Sequence, residues 1–313
     1  MAARLRLTIA LLASLVALPQ AVAQDKIRLG LLPFSESLPA VIADKQGYFK
    51  AQGLDVEITR VQSGAQAVPV LQAGKLDIVL SNTVTTLQAM EAGVDATIVA
   101  PGAAARTKAP DTSNALMILK DGTVKTPKDL EGKRVAVNVI NSTTWLYVVA
   151  FLEKHGVDRS KVRFVEIPFP QMNDPLLNKQ VDAIGQVEPF RTILEDTGKA
   201  HVLGFVYIDV QPNADITQYI ALTPWVQKNR AAAQKFAQAI VRGAEYLNTN
   251  EAAAREANLE FTKLNPALKD KVMLPRFATA VSAQEVQRTQ DLMMRYGLMK
   301  QPVNVAQRVL PPQ

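Results

Sequence analysis

The polar residues of this chain gather where apolar strands hand over to helices. The clearest case is "VAVNVINSTTWLYVVAFLEKHGV", Val135 to Val157. An apolar strand runs into Asn141-Ser142-Thr143-Thr144 and re-emerges as a helix that stops at Gly156. A helix start has unpaired backbone N–H groups and partial positive charge, so hydroxyls and amides there either cap the helix or hold the oxygens of an anion. The same composition recurs at Phe34-Ser35-Glu36-Ser37, Ser63-Gly64, Ser81-Asn82-Thr83, Pro101-Gly102 with Arg106 farther on, Phe169-Pro170-Gln171 and Gln186-Val187-Glu188-Pro189. Any one of these turns reads as ordinary N-capping. Several on the same edge of two facing sheets read as a binding surface, because open α/β sheets hold ligands beyond the carboxyl ends of their strands.

On that reading Asn141 or Ser142 caps its helix, and Thr143 and Thr144 offer the remaining donors to a solute. Ser35, Ser63, Ser81 and Asn82 are the matching candidates of the first half of the chain. Phe34 and Trp145 are candidate apolar walls, with Trp145 equally readable as core. Glu36 and Glu188 are candidate acceptors for an amine or a ring N–H, though each also reads as a plain first-turn or surface acid.

Reactive chemistry is thin. His155 stands at a helix C-terminus and His201 starts the strand "HVLGFV"; neither has a second ligand at metal spacing, so no metal site is expected. With no cysteine there is no thiol nucleophile and no disulfide. No G-x-S-x-G elbow, no G-x-G-x-x-G after a strand and no G-x-x-x-x-G-K-[ST] occurs. The expectation is a binding protein, with no catalytic residues and no cofactor. The enzymatic alternative would use Glu188 as acid or base on a heterocycle, without a second partner in the sequence.

The elements that must carry these turns alternate. Strands are expected at Ile27–Leu32, Val56–Val61, Asp77–Leu80 and Ala96–Ala100, with helices at Leu38–Gln52, Ala65–Ala73 and Val84–Ala92 between them. The rhythm repeats as strand Lys133–Val139, helix Thr143–His155, strand Val162–Ile167, helix Met172–Lys179 and strand Asp182–Ile184. "LQAGKLDIV" from Leu71 aligns with "LLNKQVDAI" from Leu176, setting Asp77 over Asp182; on the same register Ser35 falls over Ser142. Apolar strands at Ala115–Leu119 and Thr217–Leu222 break the rhythm, and from Pro224 helices are expected at Ala231–Leu247, Glu251–Phe261, Pro266–Leu274 and Ala283–Tyr296, followed by an extended tail. The inferred fold class is α/β: two lobes, each a mostly parallel sheet flanked by helices, joined by two crossover strands, with the C-terminal helices returning to the first lobe. Lobe I is drawn as residues 24–118 and 208–313, lobe II as 119–207.

Arg4 and Arg6, the twelve-residue apolar run Leu7–Leu18 and Ala21-Val22-Ala23 read as a cleavable export signal over residues 1–23. Without it 33 basic residues stand against 29 acidic ones, so the net charge falls from +6 to +4. That excess is spread along the chain without a Lys/Arg block, which argues for a solvated surface and against nucleic acid as partner. A soluble exported monomer is expected.

At "GYFKAQGLDVEI" (Gly47–Ile58), "LQAGKLDIVLSN" (Leu71–Asn82), "DLEGKRVAV" (Asp129–Val137) and "VDAIGQVEPF" (Val181–Phe190) the sequence resembles the periplasmic solute-binding proteins of the sulfonate/nitrate/taurine ABC-transporter family, which also includes binders of thiamine-pyrimidine precursors. The resemblance covers most of Ile27 to about Phe190 and implies a type II periplasmic-binding fold that closes on one small solute. It also implies a membrane permease and its ATPase as partners and the periplasm as location. The implied solute is a small organic anion or zwitterion, sulfonate- or taurine-like, with pyrimidine-like or aromatic acids as the alternative and a receptor-coupled sensor as an alternative role. The chain departs from the pattern twice. Many sulfonate-type relatives have Gly-Ser followed by a histidine where this chain has Asn141-Ser142-Thr143-Thr144-Trp145, and many have a tryptophan where it has Val187. The pyrimidine-synthase relatives depend on a cysteine-rich motif, which is absent.

Overall fold

The computed structural model describes residues 24–61, 64–110 and 114–311. The export signal read over residues 1–23, and Ser63, lie outside the described residues. The first run of elements is β1 (Asp25–Leu31), α1 (Leu38–Lys45), α2 (Tyr48–Ala51), β2 (Leu54–Arg60), α3 (Gly64–Gln72), β3 (Ile78–Asn82), α4 (Thr83–Glu91), β4 (Ala96–Pro101) and β5 (Ala103–Ala104). The second is β6 (Ala115–Leu119), β7 (Arg134–Val137), α5 (Thr143–Lys154), β8 (Arg163–Glu166), α6 (Asn173–Leu177), β9 (Ala183–Gln186), α7 (Phe190–Asp196), β10 (Ala200–Phe205) and α8 (Val206–Val210). The chain ends with β11 (Thr217–Leu222), α9 (Thr223–Lys228), α10 (Arg230–Thr249), α11 (Glu251–Thr262), β12 (Arg276–Phe277) and α12 (Ala283–Arg295).

Among the described residues these strands form two five-stranded sheets, ordered β2-β1-β3-β11-β4 and β8-β7-β9-β6-β10. Each holds one antiparallel strand: β11 between β3 and β4, and β6 between β9 and β10. Those two strands are the crossovers, so each lobe's sheet is completed by the segment arriving from the other. β3, β4 and β6 are apolar and buried along nearly their whole length, as strands covered on both faces must be. The edge strand β2 instead alternates buried and exposed positions toward its start.

The internal repeat has a structural cause. Asp77, just before β3, accepts the backbone N–H of Arg28 on β1 at 2.8 Å, and Asp182, just before β9, accepts that of Arg134 on β7 at 2.9 Å. In each lobe the aspartate ties the third strand to the first. Both pairs belong to the frame rather than to the ligand edge.

Four expectations are corrected. The boundary at residue 118 cuts through β6, whose ladder partners β9 and β10 place Ala115–Leu119 in the second lobe. Leu38–Gln52 is two helices, because Gly47 adopts φ +72°, a left-handed conformation that ends α1. Pro266–Leu274 is no α-helix: only Pro266–Leu268 forms a 3-10 turn, and Leu264, Leu268 and Val272, whose four-residue spacing mimics a helix, close a small apolar cluster of their own. The tail is not extended throughout: Val305–Arg308 forms a 3-10 turn, after which Val309 bridges Ile98 in β4 and the Leu310 backbone N–H donates to the Ile98 carbonyl at 2.8 Å.

The C-terminal helices divide their work. α10 and α11 pack on α1 in the first lobe, as expected. α12 instead wedges between α4 and α5, one from each lobe, and Arg295 reaches Glu153 of α5 at 2.6 Å. Val286 and Met293 of α12 share one apolar core with Val84 and Leu87 of α4 and with Leu146 and Val149 of α5. At the α1–α10 contact a Cβ on Gly243 would lie 2.2 Å from the Pro39 carbonyl oxygen, so the two backbones touch where only glycine fits. Gly243→Ala is therefore expected to cost roughly 1–3 kcal/mol or more, read as a lower denaturant midpoint; an unchanged midpoint would contradict this packing. No helix among the described residues is long and apolar enough to cross a membrane.

Candidate functional site

β1, β3 and β4 run parallel, as do β7 and β9, and each set ends on one edge of its sheet. The two edges meet. Thr143 Oγ1, in the first turn of α5, donates to Asn82 Oδ1, the N-cap of α4, at 2.8 Å across the lobes. Lys271 pairs with Asp196 at the end of α7. Glu36, after β1, lies close enough to Glu188, after β9, to feel its charge.

Most of the expected donors are already in use. Ser35 is buried and donates to Asn258 Oδ1 of α11 at 2.8 Å, tying the first turn to the C-terminal helices. Ser81 is fully buried against Gly64, where a Cβ would lie 2.8 Å from its Oγ. Asn82 accepts the Thr85 N–H at 2.8 Å as an N-cap and also receives Thr143. In the second lobe Asn141 sits at φ +63°, a left-handed turn that asparagine tolerates, and is exposed. Ser142 is the cap: its Oγ accepts the Trp145 N–H at 3.4 Å and donates to Asn138 Oδ1 at 3.0 Å. Thr144 is buried with its methyl over Gly185, where a Cβ would come within 2.8 Å. The quartet thus divides into a turn, a cap, an interlobe contact and a packing residue.

The aromatic candidates differ in surroundings. Phe34 is half-buried against the first-lobe core. Trp145 packs edge-on to Phe164 of β8, with ring centroids 6.0 Å apart, which sets it over the second sheet.

The carboxylates differ more. Glu188 is 7% exposed and bonded to Arg191 of α7, whose Nε lies 2.9 Å from Oε1 and whose Nη2 also reaches that oxygen; Oε2 accepts the Thr192 N–H at 3.3 Å. It is a neutralised, buried ion pair. Among the described residues Glu36 forms no ion pair; burial, opposed by its own backbone N–H and aided by the charge of Glu188, pushes its carboxyl above the usual range.

Sequence reasoning missed Arg191, although its i+3 spacing from Glu188 is an ordinary signal for such a pair. It also missed the crossovers. Asn114 Oδ1, Asp215 Oδ1 and Gln218 Nε2, all next to or within β6 and β11, are buried without a hydrogen-bond partner. Buried polar atoms of this kind are rare enough to require an explanation. Asp215 Oδ2 accepts the Ser282 N–H at 3.3 Å, and burial pushes its carboxyl up to about 7, with Ser282 and Arg276 lowering it and Glu285 raising it. His155 pairs with Asp209, Nε2 to Oδ2 at 2.8 Å, and no cluster of three or more metal-binding side chains occurs among the described residues.

Known proteins are similar to this chain in sequence and in fold. A putative binding protein, YtlA, of Bacillus subtilis (strain 168) is 22% identical over 225 residues, 68% of this chain; the match spans 63% of the relative's length. A putative thiamine biosynthesis protein of Haemophilus influenzae is 24% identical over 271 residues, 83% of this chain and 82% of the relative. Among solved structures, the periplasmic aliphatic sulphonate binding protein SsuA from Escherichia coli superimposes with a TM-score of 0.77 at 18% identity, covering 92% of this chain and 93% of that one. The desulfurization enzyme DSZB does so at 0.70 and 14%, covering 92% and 97%. At such identities these structures share the fold, which therefore carries both binders and an enzyme. The family model described as NMT1/THI5 like matches residues 35–254, well over half of the chain, and the chain belongs to that family.

Proposed function

We propose that this protein is the solute-binding component of an ABC importer, trapping one small organic anion or zwitterion between its two lobes. The observation that carries the reading is the meeting of the two strand edges through Asn82 and Thr143, with Glu36 after β1 and Glu188 after β9 close enough for one to feel the other's charge. A solute bound there is covered from both sides, as small-molecule sites between domains are. Arg4, Arg6, Leu7–Leu18 and Ala21-Val22-Ala23 support export to the periplasm, where a permease and its ATPase would receive the solute. Enzymatic use of Glu188 is disfavoured because Arg191 and the Thr192 N–H occupy its oxygens.

The test is a thermal-shift panel of alkanesulfonates, taurine, nitrate, pyrimidines and aromatic acids. A ligand that binds only the folded state must raise the melting point. A shift from one class at low concentration is expected, and a silent panel would count against the reading. Thr143→Ala removes the interlobe bond without touching the helix cap. It is expected to weaken solute binding by about 0.5–1.5 kcal/mol, a few-fold to about tenfold in Kd. Calorimetry on the variant checks this, and unchanged affinity would remove Thr143 from the closing contact.

A further inference from the structure

Two side-chain amides among the described residues are buried with an atom that no protein group meets: Asn114 Oδ1 and Gln218 Nε2. Asn114 is 2% exposed and Gln218 is fully buried. Each belongs to a crossover. Asn114 immediately precedes β6, beside Ala115, whose ladder partner Gln186 ends β9. Gln218 is the second residue of β11 and faces Pro101, which ends β4. Both therefore stand at the carboxyl ends of parallel strands, the edge at which open α/β sheets hold ligands.

They also flank the contact between the lobes. Gln218 Oε1 accepts Thr83 Oγ1 at 3.0 Å, and Thr83 follows Asn82. Asn114 Oδ1 lies 3.6 Å, and the Thr144 methyl 2.8 Å, from the point that a Cβ on Gly185 would occupy, and Thr144 follows Thr143. Asn82 and Thr143 are the residues that bond across the lobes. One unmet donor in the first lobe and one unmet acceptor in the second thus bracket that bond. Such an amide costs free energy in any conformation that shields it from water, unless a group from outside the protein meets it.

We propose that Asn114 and Gln218 are a neutral recognition pair at the crossovers, and that the solute presents to them a group that both donates and accepts, a hydroxyl or a carboxamide. This rests on the reading that the cleft holds a solute. The pair carries no formal charge, so it selects by hydrogen-bond pattern whatever charge the rest of the solute bears. It also makes closure conditional. Bringing the lobes together shields both amides, and a solute that meets them removes that cost.

The chain has no cysteine, so Lys50→Cys in the first lobe and Gln180→Cys in the second, at exposed positions, can carry a fluorophore pair that reports the lobe spacing. On this background Asn114→Leu and Gln218→Met replace the amides by apolar side chains of similar size. Without added solute, the double variant is expected to populate the closed spacing about fivefold more than its parent, because it shields no unmet amide. Should the double variant fold poorly, each single variant is read by the same closed fraction, with a smaller rise expected. Isethionate and ethanesulfonate, which differ by one hydroxyl, then probe the group itself. The parent is expected to bind isethionate about fivefold tighter, and the double variant to bind the two alike. If neither sulfonate binds, the closed fraction decides alone. An equal closed fraction in variant and parent, as when water already meets the amides, would overturn the proposal, and so would equal affinity of the parent for the two sulfonates. In either case the solute trap stands as long as the parent closes on some solute; a parent that closes on none overturns both.

Discussion

Arg191→Ala is expected to destabilise the protein by about 3–5 kcal/mol, the range for a buried ion pair that loses one partner. Glu188 and Arg191 are 7% and 3% exposed, so the variant leaves a carboxylate buried without its counter-charge. The Thr192 N–H, at 3.3 Å from Oε2, is too weak a partner to replace a guanidinium. The loss should appear as a large drop in denaturant midpoint with little change in slope. Removing both charges together, Glu188→Gln with Arg191→Met, is expected to recover most of it, because the cost lies in the uncompensated charge. Equal destabilisation by the single and double variants would mean that packing of Arg191, including its contact over the Phe205 ring, carries the effect instead.

The second large effect is a dependence on pH. Asp215 titrates at about 7 in the folded protein against 3.8 for its ordinary value. The folded state therefore holds this proton more tightly than the unfolded chain does. The stabilisation is fully present below about pH 4 and is lost as the pH rises through 7, where a charged carboxylate must stay buried near Glu285. A shift of that size corresponds to roughly 4 kcal/mol. Asp215→Asn keeps an acceptor for the Ser282 N–H and removes the titration. The variant should match the wild type near pH 4, melt several degrees higher at pH 8, and lack this part of the decline between them. Parallel wild-type and variant curves from pH 4 to 8 would show that Asp215 is not held protonated. Because Asp215 lies two residues before the crossover strand β11, the same proton lies at the junction between the lobes.

The frame of this molecule was legible because its strands are buried. "IVLSN" and "ALMIL" read as strands by their apolar runs, and the offset between Asp77 and Asp182 exposed a duplication whose cause is a repeated aspartate-to-backbone tie. Pairing was not legible: nothing in Ala115–Leu119 tells which of two sheets will accept it, and it joined the second through β9 and β10. The turns were legible as polar but not as engaged. Ser35 finds Asn258 223 residues away, and Thr143 finds Asn82 61 residues away. Such partners are set by the lobes meeting, not by local pattern. Glu36 and Glu188 looked interchangeable in sequence; Arg191, three residues after Glu188 in the first turn of α7, separates them.

The central claim is that a small solute is held between the lobes, and native mass spectrometry of the mature protein, purified without denaturation, tests it most directly. The account expects a complex heavier than the chain by one small molecule, either as purified or after addition of a single solute class, and loss of that mass on unfolding. A protein that stays at its bare mass as purified and with every class offered would contradict it, and the polar turns around Asn82 and Thr143 would then be caps and an interlobe contact only.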